Sequence, residues 1–166
     1  MKNIKKINLY LLLICFLINI LYVAPSYSLS SREDLFKNAL NLSSSGEFNL
    51  AFKQWNKYLE LFPDDAAALS NRGNIKLVMG DPEGAIDDQD KAIFADPDEV
   101  DPYINRGIAE ESLGLWLKAK KDYLYVISKD NDNSSALYNL ANVEGSLSDW
   151  QSARNLFSKA SESNPG

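Results

Sequence analysis

The chain has 166 residues, 45% of them hydrophobic and 24% charged, which is the composition of a globular protein and disfavours wholesale disorder. Histidine is absent and Cys15 is the single cysteine, so a histidine base, a Cys/His zinc site and a cysteine nucleophile in the folded domain are excluded. The formal net charge is −6 although Lys2, Lys5 and Lys6 all lie at the start, so the remainder is more acidic still and should repel nucleic acid.

The segment 1–28 has the layout of a secretory signal peptide. Three lysines precede an apolar run from Ile7 to Ala24, and the small residues Ser26 and Ser28 follow it. We expect cleavage after Ser28 and export across the inner membrane. An uncleaved single-pass anchor is the alternative, because a run of about 18 residues is just long enough to span a bilayer.

The sequence interval between Gly46 and Gly80 recurs along the rest of the chain, so residues at equivalent positions can be aligned in columns. It is kept by a glycine column, two columns of small residues and a proline column: Gly46, Gly80, Gly114 and then Ser148; Ala51, Ala85, Ala119 and Ala153; Ala39, Gly73, Gly107 and Ala141; Pro63, Pro97 and Pro165. These columns predict four units, at residues 32–65, 66–99, 100–133 and 134–166.

Each unit is predicted to hold two helices separated at the glycine column. In the second unit Gly80 ends one helix and Asp81 caps the next, and Asp149 should cap the last helix in the same way. Gly73 and Gly107 lie inside predicted helices, where glycine costs about 1 kcal/mol relative to alanine. We therefore expect close helix crossings at the small columns, where a larger side chain would hold the backbones apart.

These features resemble the tetratricopeptide repeat (TPR) family over essentially the whole chain after residue 28. The second unit carries the resemblance best, with Asn71-Arg72-Gly73-Asn74, Gly80-Asp81, Gly84-Ala85-Ile86, Lys91-Ala92-Ile93 and Asp96-Pro97-Asp98. The motifs are most similar to those of cyanobacterial and plastid members. The resemblance implies an all-α fold, a right-handed superhelical α-solenoid of four helix-turn-helix units whose first helices line a concave groove.

Two columns depart from the family pattern. The large aromatic column is kept by Trp55, Tyr123 and Phe157 but is interrupted by Gln89. The tyrosine that the family often carries in the first helix is replaced in all four units, by Leu42, Lys76, Glu110 and Glu144. These departures affect packing details and leave the fold prediction unchanged.

The resemblance implies that the groove binds a peptide. Candidate contacts to its main chain are the asparagines Asn71, Asn74, Asn105, Asn139 and Asn142, because a carboxamide both donates and accepts hydrogen bonds. The alternative is that they bond a neighbouring helix. Candidate apolar contacts are Phe36, Ile104, Ile108 and Tyr138, which could equally belong to the core. The basic clamp of TPR domains that capture chaperone tails is missing, since its positions carry Phe36, Ser70 and Ile104.

Two further surfaces stand out in the sequence. Acidic residues crowd the second unit without the spacing of a calcium loop, which indicates a solvated acidic face that could meet a basic partner. At the end of the chain Trp150, Leu156 and Phe157 are expected to leave an apolar strip open, which would suit self-association.

The sequence therefore predicts a non-enzymatic scaffold that binds a protein or peptide partner in its groove, with no catalytic residue, metal or cofactor. Some members of the cyanobacterial and plastid group assist assembly of photosynthetic membrane complexes, which suggests that role and a place in the periplasm or thylakoid lumen. The alternative hypothesis is a structural protein that forms homo-oligomers through Trp150, Leu156 and Phe157.

Overall fold

The computed structural model describes residues 29–163. The predicted signal segment 1–28, its cleavage site and Pro165 of the proline column lie outside the described residues. Contacts divide the chain into two units, Met1–Asp34 and Leu35–Gly166. The described residues of the first unit are helical, and the packed helices below belong to the second.

Residues 29–163 form eight α-helices and no strand. In chain order they are α1 (Leu29–Ser44), α2 (Phe48–Leu61), α3 (Ala66–Val78), α4 (Pro82–Ala95), α5 (Asp101–Ser112), α6 (Trp116–Lys129), α7 (Ser134–Ser146) and α8 (Trp150–Ser163). The predicted all-α helical repeat fold is confirmed. In this part of the chain no helix is both long enough and apolar enough to cross a membrane.

The helices pack as a linear array. From α2 onward each helix packs against its successor, and the first helices α3, α5 and α7 of consecutive repeats also pack on one another. Within the described residues no such contact joins the second helices α4, α6 and α8 to one another. The first helices therefore form one continuous surface, which we call the first-helix surface.

The glycine column makes the turn within each repeat. Gly46, Gly80 and Gly114 have φ of +79°, +85° and +71°, the left-handed region that glycine adopts without a Cβ penalty. In each turn the following residue donates its N–H to a carbonyl five positions earlier, as Asp81 does to Lys76 at 2.9 Å. This is the Schellman ending, which satisfies carbonyl groups that the helix leaves open.

The predicted helix caps are formed. Asp81 Oδ1 accepts a hydrogen bond from the N–H of Gly84 at 2.9 Å, with Pro82 in the first turn of α4. Asp149 Oδ1 accepts from the N–H of Ser152 at 3.1 Å. Both aspartates therefore start their helices as the sequence predicts.

The small columns mark close helix crossings, as expected. A Cβ atom on Gly73 would lie 2.7 Å from Nε2 of Gln89, and one on Gly107 would lie 2.6 Å from Cε1 of Tyr123. Both neighbours are fully buried. Alanine is a better helix former than glycine, but at these two positions it would have to displace a core side chain.

Candidate functional site

Two arginine–aspartate pairs hold the first helices in place. Arg72 on α3 donates from Nε and Nη2 to the carboxylate of Asp88 on α4, both at 2.7 Å. Its Nη1 donates to Asn56 Oδ1 on α2 at 2.9 Å, so one side chain ties two consecutive repeats together. The arrangement recurs one repeat later, where Arg106 makes the same two bonds to Asp122. The sequence patterns above did not predict these pairs, although both arginines and both aspartates keep the repeat interval.

Asp88 remains charged although its side chain is completely buried. Burial raises the pKa of Asp88, but hydrogen bonds from Arg72 and from Lys76, whose Nζ lies 2.9 Å away, outweigh this effect and lower that pKa below its ordinary value.

In the fourth repeat the positions that correspond to Arg72 and Asp88 carry Leu140 and Leu156, which pack in one hydrophobic cluster. The same structural position is thus filled by an ion pair in two repeats and by an apolar pair in a third.

A polar cleft of about 260 Å³ lies on the first-helix surface between α3 and α5. Its walls include three of the five predicted asparagines together with carboxylates; the residues used below are Asn71, Asn74, Asn105, Glu99 and Asp101. The fold therefore brings amide and carboxylate groups to one place. Among residues 29–163 no cluster of His, Cys, Asp or Glu side chains could hold a metal ion.

The asparagines of this polar cleft are partly engaged by the protein itself. Asn71 donates to the carbonyl oxygen of Ala67 in its own helix at 2.8 Å, and Asn105 donates to Ser70 Oγ on α3 at 3.1 Å. Within the described residues neither side-chain oxygen accepts a hydrogen bond. Each therefore keeps an acceptor for a peptide N–H while its donor helps to hold the surface together.

Asn74 has a structural bond that the sequence did not predict. Gln89, which replaces an aromatic residue of the repeat, is fully buried and donates from Nε2 to the Ser70 carbonyl at 3.0 Å and to Asn74 Oδ1 at 3.2 Å. The Gln89 side chain thus fills the core position of the aromatic residue and is held there by hydrogen bonds to α3. Among residues 29–163 the Asn74 side-chain nitrogen donates no hydrogen bond, so its donors remain available to a ligand in the cleft.

An apolar pocket of about 570 Å³ lies further along, between α5, α7 and α8. Its lining combines four predicted groove residues with one residue assigned to the self-association strip: Ile104, Ile108, Tyr138, Asn139 and Phe157. The rings of Tyr138 and Phe157 meet edge to face, 5.4 Å apart, and Tyr138 is 55% exposed. Within the described residues the Asn139 side chain makes no hydrogen bond, so its amide is available at the rim of an apolar floor.

Two predicted groove residues lie outside both cavities. Phe36 packs edge to face against Trp55 at 5.0 Å and Tyr58 at 5.5 Å, in the core between α1 and α2. The alternative that it belongs to the core is therefore the one the structure supports. Asn142 is half-buried on α7, without a side-chain hydrogen bond to the described residues and without lining either cavity.

The apolar strip expected near the end of the chain is narrower than predicted. Trp150 is 70% exposed and Phe157 is 38% exposed, but Leu156 turns inward and packs with Leu140. Trp55, Gln89 and Tyr123, which hold the positions of Phe157 in the earlier repeats, are completely buried. Trp150 and Phe157 therefore remain as the apolar surface there.

Glu110 on α5 is a buried carboxylate with no ion-pair partner among residues 29–163. It stands where the family often carries tyrosine, is 5% exposed, and its Oε2 accepts no hydrogen bond within the described residues. Burial, reinforced by the nearby Asp122 charge, raises the pKa of Glu110 to about 7 despite the opposing effect of Arg106. Glu144, one repeat later, is instead paired with Lys120 at 2.7 Å. Glu110 lines neither cavity, so we expect its protonation to affect the stability of the fold and not the binding of a ligand.

Comparison with known sequences gives partial matches. No family model matches the chain. The TPR repeat-containing thioredoxin TDX of Arabidopsis thaliana is 33% identical over 91 residues, which cover 55% of this chain and 24% of that protein. The chain spans about a quarter or less of the first curated relatives that it matches.

Comparison with solved structures covers more of the chain. A crystal structure of MamA protein matches with a TM-score of 0.72 and 24% identity, over 81% of this chain and 74% of that one. The first TPR of Spaghetti (RPAP3), bound to the HSP90 peptide SRMEEVD, matches with a TM-score of 0.69 and 21% identity, over 73% of this chain and 96% of that one. At these identities the likeness is one of fold.

Proposed function

Since this chain is a TPR protein, we propose that it is a non-enzymatic scaffold that holds a segment of a partner protein against its first-helix surface. The observation that carries the proposal is the position of α5, which is shared by both cavities. Asn105 and Asp101 line the polar cleft, while Ile104 and Ile108 line the apolar pocket. A peptide lying along this surface would meet main-chain partners and an apolar subsite in succession.

The two cavities define the chemistry of the segment. The Asn71 and Asn105 side chains can accept from peptide N–H groups, and the apolar pocket beside Tyr138 suits an aliphatic or aromatic side chain. Glu99 and Asp101 favour positive charge at the polar cleft. These carboxylates favour a segment opposite in charge to the acidic end of the HSP90 peptide that the structural neighbour binds.

The biological setting is a further part of the proposal. The basic and then apolar segment 1–28 supports export to the periplasm or thylakoid lumen, or anchoring in the membrane. In the periplasm, in the thylakoid lumen or at the membrane, the partner would be a subunit of a membrane complex whose assembly the scaffold assists. N-terminal sequencing of the protein from its native source tests the export step, since a chain that still begins at Met1 would contradict cleavage after Ser28.

Removing the groove amides should weaken partner capture without unfolding the protein. We expect the triple variant Asn71→Ala, Asn105→Ala, Asn139→Ala to keep its helical circular dichroism, because all three residues are at least partly exposed. Proteins captured by the tagged full chain from its own extract should fall by about tenfold or more in quantitative mass spectrometry, as when several interface hydrogen bonds are lost together.

A matched variant separates this effect from the loss of amides in general. Asn49, Asn131 and Asn155 are exposed outside both cavities, and their joint replacement by alanine should leave capture unchanged. If the groove variant and this control capture the same proteins in the same amounts, the first-helix surface is not the binding site.

Self-association is the second candidate function, and the exposure of Phe157 in an otherwise buried column favours it. If Trp150 and Phe157 form a contact between copies, light scattering of the full chain should show a concentration-dependent dimer or larger assembly. The double variant Trp150→Ser, Phe157→Ser should then be monomeric at the same concentrations. A wild-type chain that stays monomeric at high concentration would exclude this function.

A further inference from the structure

Phe94, in the last turn of α4, is a large aromatic side chain that the fold does not use. It is 92% exposed, more than any other large hydrophobic residue in the described part of the chain. The equivalent positions of the other repeats are polar and exposed, namely Glu60, Ser128 and Glu162. The repeat therefore places this position in solvent, and phenylalanine there has no packing role in the array.

A cavity adjoins Phe94 between α4, α3 and the turn that joins the first repeat to the second. It measures about 760 Å³, and its apolar lining comes from Pro63 in the turn after α2, Leu69 on α3, and Phe94 and Ala95 on α4. It is separate from both cavities of the first-helix surface, which share no lining residue with it. An exposed aromatic ring beside an apolar depression is the usual form of an interface anchor and its neighbouring pocket.

The rim of this cavity is acidic. Asp64, Asp87 and Asp90 line it against one basic residue, Lys91, and Asp90 is already bonded to Arg106. Asp87 and Asp90 lie on α4 about two turns and one turn before Phe94, so carboxylates and ring share one helix face. Three carboxylates, two of them from the acidic second unit, therefore lie around the apolar lining of this cavity.

We propose that Phe94, the adjoining cavity and the carboxylates of Asp64 and Asp87 form a second docking surface, for a protein segment that carries an aliphatic or aromatic side chain flanked by lysine or arginine. The apolar side chain would pack on Phe94 in the cavity, and the basic groups would meet the rim. Opposite charge selects this occupant, since an acidic segment would be repelled by the same carboxylates. This surface acts independently of the first-helix surface and would let one chain hold two partners.

The experiment uses random short peptides displayed on phage and selected on the full chain, followed by fluorescence anisotropy of the selected peptides. We expect one class with lysine or arginine next to an apolar residue, whose Kd rises about tenfold or more in Phe94→Ser, as for an interface anchor. The double variant Asp64→Asn, Asp87→Asn should raise the Kd about threefold at physiological salt and reduce its salt dependence.

Matched variants control for surface apolarity and for net charge. Leu117 on α6 is 72% exposed away from the cavity, and Leu117→Ser should leave the Kd unchanged. Glu47→Gln with Glu162→Gln removes the same charge from exposed sites elsewhere and should do so too. Since Phe94 is almost fully solvated, Phe94→Ser should keep the wild-type circular dichroism and urea midpoint.

Three results would overturn the proposal. In the first, no selected peptide loses affinity in Phe94→Ser. In the second, the peptides that depend on Phe94 are acidic or uncharged. In the third, light scattering shows a dimer of the full chain that Phe94→Ser abolishes, which would make a second copy the occupant of this surface.

Discussion

Replacing Arg72 by leucine should lower the free energy of unfolding by about 3 kcal/mol, because it strands the buried carboxylate of Asp88. Asp88 is completely buried and accepts two hydrogen bonds from Arg72. Lys76 remains 2.9 Å from the carboxylate and limits the loss. Urea unfolding followed by circular dichroism at neutral pH measures the effect, and a loss below about 1 kcal/mol would contradict it.

The double variant Arg72→Leu, Asp88→Leu tests whether the unpaired charge of Asp88 causes this loss of stability. The chain itself carries leucines at the equivalent positions of the fourth repeat, Leu140 and Leu156, and they pack in one cluster. Replacing a buried ion pair by an apolar pair of similar volume is often neutral or stabilising, whereas breaking one partner is costly. We expect the double variant to recover most of the loss, because Lys76 keeps the Gly84 carbonyl oxygen, 3.1 Å from its Nζ, as a hydrogen-bond partner. If it is as unstable as Arg72→Leu alone, the stranded charge is not the cause.

Replacing Glu110 by glutamine should stabilise the protein, and the gain should depend on pH. The pKa of Glu110 is raised from its ordinary value of 4.5 to about 7, so the folded state holds this proton more tightly than the unfolded state. Stability from the protonated carboxyl is complete below about pH 4.5 and is lost as the pH rises through about 7. We therefore expect no difference from wild type near pH 4.5 and a gain of about 3 kcal/mol at pH 8.

The measurement is a series of urea unfolding curves across this pH range for wild type and Glu110→Gln. Titration of the groups that do not interact with Glu110 is common to both proteins and cancels in the difference. Glu162→Gln, which removes an exposed carboxylate from α8, serves as the control for the loss of one surface charge. A stability difference between wild type and Glu110→Gln that is constant with pH would contradict a buried titrating carboxylate.

Much of the fold follows from the repeated columns, because each column has a local physical cause. Gly46, Gly80 and Gly114 turn left-handed, where residues with a Cβ are disfavoured, so their spacing locates the turns. Gly73 and Gly107 lie against core side chains at distances that no Cβ could accept, so their place inside helices predicts close crossings. Asp81 caps its helix by accepting a hydrogen bond from Gly84, only three residues later in the sequence.

The candidate site could be predicted only in outline. The repeat spacing put Asn71 and Asn105 on one surface, but Asn105 also donates across the repeat boundary to Ser70, a contact between two helices that no local pattern shows. Phe36 was equally compatible with groove or core, and its contacts with Trp55 and Tyr58 place it in the core. The choice depended on which rings another helix brought near, which is a property of the assembled repeat.

The sequence by itself determined that the described part of the chain would be paired helices with turns at a fixed interval, because turn geometry, capping and helix crossing depend on residue types at short range or in strict repetition. Only the tertiary structure decided that Asp88 would be paired while Glu110 would be buried without a cation from the described helices, and that Phe94 would face solvent beside an acidic cavity. Burial and charge pairing depend on distances between helices, and those distances exist only once the repeats have packed.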